Sequence, residues 1–284
     1  MRRTASIAAT LLLAAAPLVA QSREQPNLIL SITGGLATGA DLWTLPRQLE
    51  AVNCGSPGSC VTSNYDTLAL GRRVSPGITA IFSGTYFASP HVGYTAEIGY
   101  LGLGSEGACG VIGAYSPDAE EVNQQACQNT QGAHEPTSMV AFQGGVTYRF
   151  QPLSFLVPYV RVTAGFGLLG NSFVETTANV VAPSFCSGTG SPVCEVSLLD
   201  DPNRASATWV ATLAIGNTIR MSPAYAFRFE LRDFVTSLPV ATGGNKPDSE
   251  HPEPTAQTSM RTRHFVALTA GFDVILERSH RRRY

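Results

Sequence analysis

From Thr208 to Val235 the side chains alternate. Trp209, Ala211, Leu213, Ile215, Ile219 and Met221 fall on one face, and Thr212, Ala214, Gly216, Thr218 and Arg220 on the other. After Ser222-Pro223-Ala224 the pattern resumes, with Tyr225, Phe227, Phe229 and Leu231 opposite Ala226, Arg228, Glu230 and Arg232. A period of two marks strands and excludes a helix. The two arms read as a β-hairpin, each about ten residues or a little longer, which is the length a tilted strand needs to cross a bilayer. The polar face carries small residues and Arg-Glu-Arg, a set suited to a crowded interior where charges pair. The polar side is therefore predicted to face inward.

The same pattern recurs along the chain. Leu28–Leu36 alternates, with Leu28, Leu30, Ile32 and Leu36 on its apolar face. Ile78, Ala80, Phe82 and Tyr86 oppose Thr79, Ser83 and Thr85, and after a short break Tyr94, Ala96, Ile98 and Tyr100 oppose Thr95 and Glu97. Val140, Phe142, Val146, Tyr148 and Phe150 alternate with Gln143, Thr147 and Arg149, and Val160, Val162, Ala164, Phe166 and Leu168 with Tyr159, Arg161 and Thr163. The last strand sets Val266, Leu268, Ala270, Phe272, Val274 and Leu276 against Ala267, Thr269, Gly271 and Asp273. With the hairpin, that makes eight strands. Long segments follow the first, third, fifth and seventh (about 40–66, 103–136, 170–206 and 237–259), and short turns follow the second, fourth and sixth.

All long connections therefore emerge on one side. Short periplasmic turns, long extracellular loops and an even strand count define the outer-membrane layout. No strand edge is tolerated in hydrocarbon, so the sheet must close. The fold predicted is all-β: an eight-stranded antiparallel up-and-down transmembrane β-barrel with four long extracellular loops, spanning residues 27–276. Tyr86, Tyr94, Tyr148, Phe150, Tyr225 and Phe227, near the turn ends, would form an interfacial girdle.

Composition agrees with that inversion of polarity. Of 284 residues 44% are hydrophobic and only 14% charged, against a usual ~25% charged. The one long apolar run, Ile7–Ala20, follows Arg2 and Arg3. It is too short to span as a helix and reads as a signal peptide, residues 1–20, with cleavage after Ala20 or after Ala16. A short lead, 21–26, and a basic periplasmic tail, 277–284, flank the barrel. Without the signal segment the chain holds 17 basic and 21 acidic residues, and nothing points to nucleic acid. Six cysteines fall as neighbours, Cys54 with Cys60, Cys109 with Cys127 and Cys186 with Cys194. Fifteen pairings are formally open, and local disulfides in an oxidising compartment are the simplest. The spacing lacks CxxC and flanking histidines, so zinc is disfavoured.

The strand PYVRVTAGFGL (158–168) and the closing TAGFDVIL (269–276) resemble the small OmpA/OmpX-like outer-membrane barrels. The resemblance is one of layout over residues 27–276. It implies residence in the bacterial cell outer membrane and insertion by the barrel-assembly machinery, with Gly271, Val274 and Leu276 as the assembly signal of the last strand. The chain departs from the family at its end, where ERSHRRRY follows and the terminal aromatic of the strand is missing. Outer-membrane lipid and lipopolysaccharide would surround the belt.

The interior is assigned Glu97, Arg149, Arg161, Arg220, Arg228, Glu230, Arg232 and Asp273. An eight-stranded barrel is just wide enough for side chains to fill, so these should pair as a plug. A structural or surface-interaction role follows; a narrow gated channel is the alternative within the membrane. A soluble secreted barrel binding a lipophilic ligand would need the opposite polarity of faces. No cofactor or metal is called for, and no enzyme is expected. GxSxG, HExxH and P-loop motifs are absent. Among His91, His134, His251, His264 and His280, none pairs with a serine two residues along the same strand; His264 with Ser259 is the nearest candidate, and it reads better as a residue at the loop-strand junction. The acidic clusters Asp118-Glu120-Glu121 and Asp200-Asp201 suit divalent cations that bridge lipopolysaccharide phosphates, although solvated loop charge is the better explanation of them.

Overall fold

A computed structural model describes residues 27–52, 65–114, 121–152, 156–183, 186, 190–202, 204–247 and 254–276. The signal segment, the lead, the tail, Cys54, Cys60, Asp118, Glu120, His251 and His280 lie outside the described residues.

Within the described residues the chain forms β1 (Asn27–Gly39), β2 (Asp41–Ala51), β3 (Tyr65–Phe87), β4 (Val92–Gly113), α1 (Val122–Thr130), β5 (His134–Arg149) and β6 (Leu156–Leu169). There follow β7 (Thr176–Val181), β8 (Val193–Leu199), β9 (Ala207–Arg220), β10 (Tyr225–Gly244) and β11 (Ala256–Leu276). All strand pairings in the sheet are antiparallel, in the order β1-β11-β10-β9-β6-β5-β4-β3, and β3 returns to β1 to close the ring. The eight-stranded barrel and the arrangement of its connections agree with the sequence reading. Among the described residues no helix is long and apolar enough to cross a membrane; the crossing is made by strands.

Closure depends on tight approach at the seam. A Cβ on Gly271 would stand only 2.0 Å from the carbonyl oxygen of Ile32 on β1, so no larger side chain fits where the last strand meets the first. The lipid-facing surface is set by register. Trp209, Phe166, Phe142, Ile98, Phe82, Ile32 and Phe272 occupy one continuous rung across neighbouring strands. Phe227 meets Phe272 edge-on, with ring centroids 5.6 Å apart, and sits above the mouth, while Tyr86, Tyr94, Tyr148, Phe150 and Tyr225 stand exposed at the short-turn end.

The long loops are mostly not loops, and this corrects the sequence reading. β2 continues β1 along the same partner, with a break at Ala40, so that Asp41 pairs with Arg73 and Ala51 with Tyr65. β4, β10 and β11 likewise run far past the bilayer length, α1 fills the second connection, and β7 and β8 make a hairpin in the third. The alternation is hidden in the sequence because its polarity reverses. Above the belt the outside faces water and the inside is packed, so Leu68, Leu70, Leu101, Leu103, Phe234, Leu238, Val240 and Phe265 now point inward and are buried. The expected small and polar interior holds only in the lower half.

This extracellular half is cross-braced. The Trp43 indole N–H donates to the Phe173 carbonyl at 2.8 Å, and buried Arg72 reaches the Glu175 carbonyl at 2.6 Å and the Glu135 carboxylate at 2.9 Å. The Cys109–Cys127 disulfide ties β4 to α1, and Cys186–Cys194 ties the segment that connects β7 and β8 to the start of β8, at the turn end of that hairpin. The Arg263 guanidinium donates to the Leu42 carbonyl, bridging β11 to β2 where the two strands are unpaired.

Two expected outcomes follow from closure and packing. Gly271→Val should block closure of the β1–β11 seam; most of the chain would then run at its boiled position on an unboiled gel, and a wild-type shift would refute the argument. Glu50, only 3% exposed, faces Asp66 across the β2–β3 register. Asp66 is itself held at 3.0 Å by the Asn123 amide. Burial, and secondly Asp66, push the Glu50 carboxyl well above its ordinary value. The folded state therefore keeps this proton longer than the unfolded chain. Its contribution is complete below the ordinary carboxylate range and is lost as pH rises through the raised value. Glu50→Gln should increase hydrogen-exchange protection of β2 and the upper part of β3 at pH 8 and leave it almost unchanged at pH 4. Weaker protection than wild type at pH 8 would contradict this.

Candidate functional site

The centre of chemistry is an ionic layer that fills the lower barrel. β10 supplies Arg228, Glu230 and Arg232, two residues apart, so a strand delivers all three to the same face. Their cross-strand partners are small: Gly271 and Thr218 beside Arg228, Thr269 and Gly216 beside Glu230, Ala267 and Ala214 beside Arg232. Those short side chains leave room for guanidinium groups to lie across the lumen.

Each charge meets its opposite. Arg228 donates to Asp273 at 2.9 and 3.1 Å and to Glu230 Oε1 at 3.2 Å. Arg232 donates through Nε to Glu230 Oε2 at 2.6 Å and through Nη1 to Glu97 Oε1 at 3.1 Å. Arg161 lies between the two glutamates, with Nη1 3.3 Å from Glu97 Oε2 and 3.5 Å from Glu230 Oε1. All six charged side chains are buried. Hydroxyls and an amide complete the layer. Tyr159 donates to Glu230 Oε1 at 2.5 Å, Arg161 Nε to Thr147 at 3.1 Å, and Thr163 stands 3.1 Å from Glu97 and 2.6 Å from Gln143. Thr212 donates to Gln143 at 2.8 Å.

Of the eight interior charges named from sequence, the structure joins these six into one network and leaves two outside it. Arg149 and Arg220 sit at the short-turn mouth. Arg149 lies flat on Phe87, 3.4 Å from the ring centroid, and Arg220 is exposed. Sequence reasoning placed Tyr159, Thr147, Thr163, Gln143 and Thr212 on the inner face without assigning them a role. Tyr159 is accommodated because Gly216 lies opposite it in register, where a Cβ would meet its hydroxyl at 2.6 Å. Buried Arg72, Glu50 and Asp66 in the upper half were not singled out at all.

Other candidates resolve simply. His264 does not address Ser259; its Nδ1 pairs with Asp233 Oδ2 at 2.9 Å on the outer surface. Asp201 accepts from Ser172 at 2.7 Å. Among the described residues no group of three or more His, Cys, Asp or Glu is placed to hold a metal. Val274 and Leu276 face lipid.

An apolar belt facing outward, ions facing inward and a closed ring of eight strands define a transmembrane β-barrel of the outer-membrane class. Neither a protein-family model nor a curated protein matches the chain. Among solved structures it is similar to the outer membrane protein AlkL in lipid bilayers, with 12% identity, 93% of this chain and 96% of the other covered, and a TM-score of 0.44. It is also similar to OprG from Pseudomonas aeruginosa (9% identity, 90% and 98% covered, TM-score 0.41) and to Neisserial surface protein A (7%, 88% and 99%, 0.40).

The network makes its members interdependent. Removing one partner of a buried ion pair costs about 3–5 kcal/mol because the other charge is left uncompensated. Glu230→Ala strips a shared acceptor from Arg161, Arg228 and Arg232 and should lower the unfolding free energy by about that amount, read from urea titrations in lipid vesicles. A loss under ~1 kcal/mol, the value of an exposed pair, would show that the charges are hydrated and not packed.

Proposed function

We propose that the protein is an integral outer-membrane barrel with a structural or surface-interaction role, sealed along its axis and without enzymatic activity. The observation that carries this reading is the stacking of two fillings in one lumen. The ionic layer occupies the lower half, and an apolar core that includes Phe234, Phe265, Leu101 and Met139 lies above it. A permeant ion would have to displace paired charges and then cross a layer offering few polar contacts.

Three features support surface interaction. Among the described residues the outer half is built largely from strands, it is braced by the Cys109–Cys127 and Cys186–Cys194 disulfides, and it raises the β7–β8 hairpin as a separate element. The ligand carrier is the weaker reading: the large apolar side chains Leu213 and Phe272 are about half exposed on the outside, whereas the largest fully buried side chains are Arg161 and Arg232. The reading includes export through residues 1–20, insertion by the barrel-assembly machinery with Gly271, Val274 and Leu276 as its signal, and lipopolysaccharide around the outer half of the belt.

Planar-bilayer recordings of the full chain test the seal. Little or no steady conductance is the expected result, and a large, stable open state would overturn the proposal.

A further inference from the structure

Five arginines point into the lower barrel, and three of them have carboxylates. Arg161, Arg228 and Arg232 are balanced by Glu97, Glu230 and Asp273. Arg149 at the end of β5 and Arg220 at the end of β9 are the surplus. Both line one cavity of about 20 Å³ at the short-turn mouth, together with Thr218, Asp273, Val157 and Ile275. Among the described residues neither of these guanidinium groups has a hydrogen-bond or ion-pair partner. Asp273, the one acid on the cavity wall, is engaged by Arg228 at 2.8–3.1 Å.

Two like charges facing a common void repel each other, and an anion between them reverses the sign of that interaction. Arg149 is already positioned for one. Stacking on Phe87 occupies a face of its guanidinium and leaves the N–H edge free, the edge that grips a phosphate in bidentate fashion. Thr218 adds a hydroxyl on the same wall, and the apolar Val157 and Ile275 limit competition from water. At about 20 Å³ the void exceeds the ~10–15 Å³ that one water-sized group needs, so it admits one phosphate oxygen, with the phosphorus, the other oxygens and the rest of any larger molecule held at the open mouth. Exposed Tyr148, Phe150 and Tyr225 mark this end as the level of lipid head groups.

We propose that the short-turn mouth of the barrel binds one phosphate group, gripped between Arg149 and Arg220 with Thr218 as an additional donor. The phosphate is either free in solution or the head group of a phospholipid in the adjoining leaflet.

The full chain, refolded in a nonionic detergent without phosphate, is titrated with inorganic phosphate at constant ionic strength, and binding is followed by calorimetry and by arginine side-chain NMR signals. One saturable site is expected. The R149Q/R220Q variant should weaken it by about tenfold or more, as the loss of two charge-assisted donors predicts. Because Arg220 is exposed, R220Q alone keeps the fold and serves if the double variant does not show the unboiled gel shift; it should weaken binding by a smaller factor. A short-chain phosphatidic acid in the same micelles separates the sources. Displacement of phosphate by the lipid supports a head-group ligand, and saturable phosphate binding without displacement supports the free ion. Absence of a saturable site, an equal response from R220Q, or the same response to chloride would overturn the proposal.

Discussion

Everything in this molecule depends on the backbone hydrogen bonds between β1 and β11. In hydrocarbon an unpaired strand edge leaves a row of N–H and C=O groups without water, at a cost of several kcal/mol for each group. The chain escapes that cost only by returning its last strand to its first. The pairing Leu28–Leu276 through Gly39–Phe265 does this over the full belt. It constrains residue choice at the seam, where Gly271 permits the approach of Ile32, and it determines the narrow lumen into which all inward side chains must fit.

A narrow lumen surrounded by lipid can be filled in two ways, and the protein uses both. In the lower half the inward positions are ions, because a strand whose outer face must be apolar has only its inner face for polar residues. Those ions are tolerated because both glutamates are shared between arginines, Glu230 serving three and Glu97 two, while Asp273 pairs with Arg228. Tyrosine and threonine hydroxyls take up remaining positions around them. The two arginines that have no ion-pair partner among the described residues are confined to the mouth, where water or a solute anion reaches them.

Above the bilayer the same sheet meets water outside, and the economics of burial change sign. The inner face becomes leucine, phenylalanine and valine, the outer face becomes glycine, serine and charge, and the barrel ends in a packed extracellular domain. The strands themselves do not change at that boundary; β4 and β10 cross it without interruption. What changes is the solvent on one side.

Period-two alternation with an apolar outer face determined the strand count, the direction of every side chain in the belt, and the inward placement of Glu97, Arg161, Arg228, Glu230, Arg232 and Asp273. These were legible because bilayer thickness and the pleat impose a local rule on each strand separately. The outer half was not legible, since its alternation runs in the opposite sense and Ser237–Ser259 or Ala40–Asp66 then resemble polar loops. Nor could the sequence say which arginine meets which acid: Arg232 and Glu97 are 135 residues apart. Only closure of the ring brings β4 and β10 face to face across the lumen, and only the register at that closure leaves Arg149 and Arg220 without a carboxylate partner among the described residues.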